Sequence, residues 1–247
     1  HGDFPRVILA PGTITEGYPL THTAFDLAER YQVPVFILTD QYFVDTRYNV
    51  PAFTVPTTMR ERHIVKTEKN YRRFAFTDSG ISPRGVPGYG EGLVCADSDE
   101  HDESGHITED LELRVRMVDK RKKKIAALTA EAIPPTLTGS DDYQTAIVCW
   151  GSTHAIVAEA VSGLDAPRVA VLHFSQVFPI SESAKDMLAR AKHIVSVENN
   201  SSAQFTRLLS QTTGIPIERK ILKYDGLPFS VEELRETLRS ELREVRA

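Results

Sequence analysis

One stretch decides the fold class: Thr145-Ala-Ile-Val-Cys-Trp-Gly-Ser-Thr-His-Ala-Ile-Val-Ala-Glu-Ala-Val161. It begins with a mostly apolar run that predicts a strand at 145–150, turns at a glycine, and continues with apolar residues at helical spacing. A buried strand followed at once by a helix is the repeating unit of parallel sheets. We therefore expect an α/β domain at this point in the chain.

The same alternation continues to the end of the sequence. Further strands are predicted at 168–173, 193–198 and 217–222, and helices at 153–161, 182–191, 203–213 and 231–245. Residues 143–247 are thus predicted to form a doubly wound α/β domain with Trp150, Phe174 and Phe178 in its core. The glycine turn after Trp150 is where such sheets bind ligands, but without a GxGxxG motif a plain helix cap is the stronger interpretation.

A strand–helix–strand pattern opens the chain. Its strands are predicted at 6–10 and 33–38, and its helix at 13–31 has Ala24, Phe25, Leu27 and Ala28 on its predicted inner face. From residue 45 to residue 102 the pattern gives way to proline, glycine and threonine, and a segment this long is more often functional or a crossing between domains than a plain connection.

A charged helix over 107–132 comes next, and its run Lys120-Arg-Lys-Lys-Lys124 is predicted to be a solvated face. A linker over 133–142 follows it, because the segment Ile133-Pro-Pro-Thr-Leu-Thr-Gly-Ser-Asp-Asp142 is rich in turn residues.

Composition excludes several classes of protein. The net charge of −5 argues against a general basic surface for nucleic acid. Cys95 and Cys149 are the only cysteines, so this chain alone cannot build a four-cysteine cluster or zinc site, and a reducing cytoplasm fits best. No apolar run approaches the roughly 20 residues that span a bilayer. The sequence starts at His1 rather than methionine, so we expect a piece of a longer polypeptide.

The loop Ser79-Gly-Ile-Ser-Pro-Arg84 presents an arginine. Arg84 follows a proline and has glycines on both sides, so a pre-set backbone can present its planar guanidinium to a carboxylate. From the loop alone, a substrate carboxylate and an ordinary surface salt bridge are equally good partners. Ser79 and Ser82 either donate hydroxyl groups to the same anion or cap the turn.

The stretch Asp97-Ser-Asp-Glu-His-Asp-Glu-Ser-Gly-His106 holds five carboxylates and two imidazoles in ten residues. A packed interior cannot accept so many charges, so the stretch must lie at a surface, a boundary or a site. A metal site at His101 and His106 is disfavoured, because the acids are irregularly spaced and no third nitrogen or sulfur ligand is present. Hydrogen bonds and ion pairs at a domain crossing or subunit interface are favoured, and proton transfer is the remaining alternative; the residues concerned are Asp99, Glu100, His101, Asp102 and His106.

Together, five motifs resemble the alpha subunit of 2-oxoacid:ferredoxin oxidoreductases, and the acidic stretch resembles the 2-oxoglutarate-using branch. The motifs are Phe4-Pro-Arg6, Leu38-Thr-Asp-Gln-Tyr42, Ser79 to Arg84, Asp97 to Asp110, and Val197-Glu-Asn-Asn200. The resemblance implies that residues 1–105 end a pyrimidine-binding thiamine-diphosphate domain with a substrate-side loop. Residues 106–142 would then be a helical linker, and residues 143–247 a domain similar to the transketolase C-terminal domain.

The activity that the resemblance implies is CoA-dependent oxidative decarboxylation of 2-oxoglutarate to succinyl-CoA, with reduction of ferredoxin. Thiamine diphosphate, Mg²⁺ and iron–sulfur clusters would be held mainly by partner chains, a beta subunit and a possible gamma subunit, and none by this chain alone. In this family the earlier half of the alpha subunit carries the glutamate that activates the thiamine ring. Since that half is outside this sequence, we expect this chain to be inactive by itself.

The resemblance also bears on single residues, with alternatives left open. It makes Arg84 the lead substrate contact, and it marks Asn199 and Asn200 as structural or interfacial, although a helix cap explains Asn200 almost as well. A pyruvate or branched-chain 2-oxoacid enzyme is the alternative within the family. A non-catalytic assembly module and a flavodoxin-like nucleotide-binding domain at 143–247 are alternatives from other classes.

Overall fold

The computed structural model describes residues 3–54 and 61–246. In chain order its elements are β1 (Val7–Leu9), α1 (Ile14–Tyr31), β2 (Val35–Ile37), α2 (Gln41–Asp45), α3 (Leu111–Ala130), β3 (Thr136–Gly139), β4 (Thr145–Trp150), α4 (Thr153–Ser162), β5 (Val169–Phe174), β6 (Gln176–Phe178), α5 (Ser183–Ala189), β7 (His193–Glu198), α6 (Gln204–Thr213), β8 (Arg219–Leu222) and α7 (Val231–Arg246). Among the described residues, none of these helices combines the length and the apolar character needed to cross a bilayer.

Two compact units divide the chain, and each is built from separate stretches of sequence. Unit 1 contains the described residues of 3–6, 23–35 and 61–128, and unit 2 contains those of 7–22, 36–54 and 129–246. The domain boundaries expected at residues 105 and 142 divide the chain in sequence order, whereas these two units interleave. The boundaries stay a prediction.

Unit 2 is built around a five-stranded sheet with the order β3-β5-β4-β7-β8. Strands β4, β5, β7 and β8 are mutually parallel, and the nearly continuous apolar sequences of β4 and β5 suit a sheet that is covered on both faces. The predicted doubly wound α/β architecture is therefore confirmed. Strands β4 and β7 have the bounds that the sequence predicted.

The segment 133–142 was expected to be a linker, but its middle forms a strand. Thr136–Gly139 forms β3, which pairs antiparallel with β5 at the edge of the sheet. Threonine favours extended structure, but this strand is short, mostly exposed and flanked by prolines and turn residues. Such an edge strand has no continuous apolar run, so its sequence looks like a connection.

Two apolar clusters lie in unit 2. One contains Phe174, Leu172 and Leu209, and the other contains Ile147, Val195 and Leu238. Phe174 is buried as predicted, while Trp150 is partly buried and packs against the first cluster. Both clusters include side chains from strands of the central sheet. Their packing therefore holds the ends of these strands, from which the polar residues described below extend.

A smaller sheet has the order β2-β1-β6, and two of its features differ from expectation. Strand β6 was not predicted; it pairs antiparallel with β1 and includes the partly buried Phe178. On α1, Ala24 and Leu27 are buried, but Phe25 is 65% exposed. The placement of Phe25 on the inner face was wrong because each helical step rotates the side chain by about 100°, which turns it away from the i, i+3, i+7 stripe of Ala24, Leu27 and Tyr31.

Unit 1 consists largely of irregular chain together with most of helix α3. Its segment between 61 and 110 has isolated bridges in place of named strands, such as Ile64 with Arg84 and His101 with Ile107. A close approach of two backbones explains one of its glycines: Gly90 has φ of +118°, and a Cβ there would lie 2.3 Å from the Thr67 carbonyl oxygen. The loops of this unit are therefore held by specific contacts, and they carry most of the predicted site residues.

Candidate functional site

Arg84 is held in place from two sides. Its Nη1 lies 2.6 Å from Glu29 Oε2, and both side chains are partly buried. The Tyr71 hydroxyl donates to the Pro83 carbonyl oxygen at 2.9 Å and accepts from the Gly85 N–H at 2.6 Å, so a single side chain fixes the backbone on both sides of Arg84. The guanidinium carries five N–H donors, and this ion pair leaves most of them for a second acceptor.

The two loop serines are engaged locally. Ser82 is buried and donates its hydroxyl to the Ala75 carbonyl oxygen at 2.9 Å, while its own carbonyl oxygen accepts from Gln32 Nε2 at 2.7 Å. Ser79 Oγ accepts from the Ile81 N–H at 3.2 Å. These contacts are those of turn-capping residues, so any role of the two hydroxyl groups in substrate binding stays a prediction.

Glu100 attaches the acidic stretch to α3. Its side chain is 10% exposed and accepts both Nη1 and Nη2 of Arg121, at 3.0 and 2.8 Å, as well as Arg114 Nη1 at 3.2 Å. The hydrogen bonds from Arg121 lower the pKa of the Glu100 carboxyl group, against the opposing effect of partial burial. A charge-assisted bidentate pair of this kind fixes both position and orientation.

Asp102 and the histidines organise the rest of the stretch. Asp102 Oδ1 accepts the N–H groups of Ser104, Gly105 and His106 at 2.8–3.1 Å, and these bonds lower the pKa of its carboxyl group although partial burial, the largest single influence, acts in the opposite direction. His101 packs against the Phe74 ring, with centroids 3.8 Å apart, and its Nδ1 lies 3.0 Å from the carbonyl oxygen of the exposed Asp99. The predicted hydrogen-bond and ion-pair network is present within unit 1; its role in proton transfer or at an interface stays a prediction.

Metal and cluster ligands do not gather in the part of the chain that the structure describes. No group of three or more His, Cys, Asp or Glu side chains there is placed to bind a metal ion. Both cysteines are free thiols, and burial raises the pKa of Cys149, with the nearby Glu16 carboxylate adding to the effect. The described residues therefore do not fit a diphosphate–Mg²⁺ site or an iron–sulfur cluster by themselves.

Two lysines that were predicted to be solvated are buried. Lys120 and Lys124 are 6% and 8% exposed, and they donate to the carbonyl oxygens of Phe74 and Gln32 at 2.6 and 3.3 Å. Burial, reinforced by neighbouring cations such as Arg73, lowers the pKa of each lysine to about 8. The prediction of a solvated face was wrong for these two positions because lysines four residues apart share one face of a helix, and that face of α3 is buried.

The buried Glu198 lies at the carboxyl end of β7; the motif Val197 to Asn200 contains it, but no role was predicted for it. It is 1% exposed, and five neutral donors surround its carboxylate: Trp150 Nε1, Asn200 Nδ2, the N–H groups of Phe205 and Thr206, and the Thr206 hydroxyl. Phe205 and Thr206 lie in the first turn of α6, so the carboxylate caps that helix and satisfies N–H groups that lack partners within it. The sequence signal was an acid that ends an otherwise apolar strand.

The adjacent asparagines have separate structural roles. Asn199 donates Nδ2 to the carbonyl oxygens of Lys223 and Leu227 at 2.9 and 3.2 Å. Asn200 Oδ1 accepts the N–H groups of Ser202 and Gln204 at 3.1 and 3.3 Å. These contacts support the capping interpretation of Asn200; a role of either residue at an interface stays a prediction.

A crevice of about 230 Å³ lies at the carboxyl ends of the parallel strands in unit 2. Its walls include Leu38, Asp40, Trp150, Ser152 and Asn199, and it lies where the connections from β4 and β7 run to opposite sides of the sheet, which is the usual ligand position in such folds. However, the Asp40 carboxylate accepts from the Ser152 hydroxyl at the start of α4. A carboxylate already at this helix N-terminus opposes the binding of a nucleotide phosphate there.

Comparison with known proteins shows which proteins this chain resembles. Residues 2–120 match the family described as pyruvate flavodoxin/ferredoxin oxidoreductase, thiamine diP-bdg. The chain is 33% identical over 248 residues to the alpha subunit of 2-oxoacid:ferredoxin oxidoreductase 1 from Sulfurisphaera tokodaii, covering 96% of this chain and 39% of that relative. It is 28% identical over 207 residues to the 2-oxoglutarate synthase subunit KorA of Methanocaldococcus jannaschii, covering 81% and 54%.

A solved structure extends the likeness to three dimensions. The 2-oxoglutarate:ferredoxin oxidoreductase from Magnetococcus marinus, with 2-oxoglutarate, coenzyme A and succinyl-CoA bound, matches 98% of this chain and 43% of its own with a TM-score of 0.81 and 26% identity. In sequence and in fold the chain is similar to the alpha subunits of 2-oxoacid:ferredoxin oxidoreductases, which confirms the resemblance drawn from the motifs. It spans about two fifths of the length of the first relatives it matches.

Proposed function

We propose that this chain is part of a complex that oxidatively decarboxylates 2-oxoglutarate with CoA, forming succinyl-CoA and reducing ferredoxin. The observation that carries the proposal is the likeness, over 98% of the chain, to a structure with 2-oxoglutarate, coenzyme A and succinyl-CoA bound. The likeness to KorA subunits supports the same substrate. Beta and gamma chains are the proposed partners, and the cytoplasm is the proposed location.

The contribution of this chain is to bind and orient the substrate. In the proposal, the Arg84 guanidinium binds the carboxylate of the 2-oxoacid in bidentate fashion, while Glu29 and the backbone fixed by Tyr71 keep the guanidinium oriented. Prior orientation matters because it reduces the entropy lost when substrate binds. Thiamine diphosphate would supply the carbon–carbon cleavage when bound in the complex.

Cofactors belong mainly to partner chains in this proposal. The match of residues 2–120 to a thiamine-diphosphate-binding family supports that cofactor for the complex. Because the described residues gather no metal-binding group, we propose that the Mg²⁺ and the clusters are held elsewhere and that this chain alone is inactive.

The test is viologen reduction by the complete complex with CoA and each of three substrates: 2-oxoglutarate, pyruvate and 2-oxoisovalerate. We expect 2-oxoglutarate to give the highest kcat/KM. A preference for another 2-oxoacid would keep the family and reject the proposed substrate. Absence of turnover with all three, in a complex shown to contain thiamine diphosphate and clusters, would favour a non-catalytic assembly module.

A further inference from the structure

Gln32 lies directly after α1 in a left-handed backbone conformation. Its φ is +52°, and its N–H donates to the Ala28 carbonyl oxygen at 3.0 Å, as at the end of a helix. Glycine is the usual residue in this position, because a residue with a Cβ is strained where φ is positive. Strained residues of this kind are often found where the side chain has a function, so the side chain of Gln32 is a candidate for one.

The side chain of Gln32 reaches the loop that presents Arg84. Its Nε2 donates to the Ser82 carbonyl oxygen at 2.7 Å, across 50 positions of the sequence. The neighbouring carbonyl oxygens of the loop accept from the segment 65–77: that of Ile81 from Thr77 Oγ1, that of Pro83 from Tyr71 Oη, and that of Arg84 from the Val65 N–H. Gln32 therefore joins the backbone of this loop to the end of α1.

The same end of α1 also carries the ion-pair partner of Arg84. Glu29 lies three residues before Gln32, and its Oε2 is 2.6 Å from Arg84 Nη1. Lys124 Nζ donates to the Gln32 carbonyl oxygen at 3.3 Å, which holds Gln32 from α3 as well. The loop backbone and the guanidinium are thus both attached to one short stretch of chain, so the bond from Gln32 sets where Arg84 lies relative to Glu29.

We propose that Gln32 is a positioning residue for the 2-oxoacid substrate: its side-chain amide holds the loop so that Arg84 contacts Glu29 with one edge of its guanidinium and the substrate carboxylate with another. The inference rests on the proposed function, in that Arg84 must bind the substrate carboxylate. That carboxylate contact exists both before and during the reaction. Loss of the amide should therefore raise KM and leave kcat nearly unchanged.

The central variant is Gln32→Gly, measured by viologen reduction in the complete complex with CoA and the 2-oxoacid. Glycine relieves the strained φ and removes the amide, so we expect the fold to be retained while KM for the 2-oxoacid rises about three- to tenfold. If Gln32 only ended the helix, glycine would serve as well and KM would stay unchanged, which would overturn the proposal. Circular dichroism and thermal unfolding establish that the variant is folded.

Two further variants separate the amide from the strain. Gln32→Glu keeps the length of the side chain but places a carboxylate against the Ser82 carbonyl oxygen, so it should raise KM at least as much as Gln32→Gly. A wild-type KM in Gln32→Glu would contradict the proposal. Ala203→Gly is the matched control, because Ala203 also has a positive φ, of +50°, but lies in unit 2 and has no side-chain amide. We expect its KM to be that of the wild type.

A double-mutant cycle decides whether Gln32 acts through Arg84. In the Arg84→Ala background, Gln32→Gly should cause no further loss of kcat/KM, because no guanidinium remains to be positioned. Two independent losses that multiply would overturn the proposal, as would an Arg84→Ala variant with unchanged kcat/KM.

The wild-type complex shows separately whether the proposed function fails. A preference for another 2-oxoacid rejects 2-oxoglutarate, and the Gln32 variants are then measured with the preferred substrate, because every 2-oxoacid carries the carboxylate. Absence of turnover with 2-oxoglutarate, pyruvate and 2-oxoisovalerate rejects the proposed function and the role of Gln32 together. Turnover by the wild type with an unchanged KM in Gln32→Gly rejects the role of Gln32 alone.

Discussion

At the scale of single residues, the position of Arg84 depends on Glu29 and Tyr71, and substitutions of the three residues test the proposed role of Arg84 in substrate binding. We expect Arg84→Ala to lower kcat/KM for the 2-oxoacid about 30- to 100-fold, which corresponds to roughly 2–3 kcal/mol for a lost charged contact. Glu29→Gln removes the ion pair but keeps the guanidinium, so it should change kcat/KM by about threefold or less.

Tyr71→Phe is the companion variant. It removes the oxygen that joins Pro83 to Gly85, so it should give a smaller loss of kcat/KM than Arg84→Ala. Steady-state kinetics of the assembled complex make the comparison. Equal losses in Arg84→Ala and Glu29→Gln would mean that the salt bridge, and not the substrate, is what Arg84 is needed for.

Lys120 and Lys124 couple the stability of unit 1 to pH. Their pKa of about 8 in the folded protein is below the ordinary value of 10.5, so between these pH values the unfolded chain binds more protons than the folded one. The free energy of unfolding should therefore rise as pH increases from about 8 to about 10.5, by roughly 1–3 kcal/mol per lysine. Urea unfolding at several pH values measures it.

The control is the double variant Lys120→Met, Lys124→Met, which keeps apolar side chains of similar length. It should lose this pH dependence and gain stability relative to the wild type at pH 7, where both lysines are buried as cations. If the free energy of unfolding changed with pH in the same way in the wild type and in the double variant, burial of the two ammonium groups would cost little free energy.

Local sequence singles out candidate site residues, but it does not reveal the residues that they contact. Arg84, Glu100 and Asp102 were singled out because a loop or a charge cluster sets them apart within a few residues. Glu29, in contrast, lies 55 positions from Arg84, and nothing in its own surroundings distinguishes it from any other helical acid. The burial of Lys120 and Lys124 was hidden for the same reason, since it depends on chain that is distant in sequence.

At the scale of elements, Glu198 joins β7 to the start of α6. Glu198→Ala leaves five donors without their acceptor, three of them buried, so we expect it to lower the free energy of unfolding by about 3–5 kcal/mol. Glu198→Gln keeps one carbonyl oxygen and should cost about 1–2 kcal/mol. Urea unfolding followed by circular dichroism measures both, with the exposed Glu218→Ala as a control expected within about 0.5 kcal/mol of the wild type. A small effect of Glu198→Ala would mean that water replaces the carboxylate.

Elements were predictable where burial on both faces imposes a continuous apolar run. Strands β4 and β7 follow that rule and were predicted with their observed bounds. Strands β3 and β6 are short and pair antiparallel with strands that are distant along the sequence, so no local pattern predicts them. Their positions follow from pairing, which is a property of the whole fold.

At the scale of the whole molecule, the chain combines a unit made largely of loops with a unit built on a parallel sheet. The first carries Arg84 and the acidic stretch, and the second carries the capped end of β7. The relatives that the chain resembles are named as alpha subunits, and its described residues gather no group of three or more His, Cys, Asp or Glu side chains placed to bind a metal ion.

Interleaving of the two units has a practical consequence for anyone who divides this chain for expression. A fragment of residues 143–247 would lack β1, which pairs with β6, and β3, which covers one edge of β5. Both losses bare backbone N–H and C=O groups along a strand, and exposed strand edges of that kind promote aggregation. A soluble C-terminal fragment would need to begin before Thr136, and would still need a substitute for the strand that Val7–Leu9 provides.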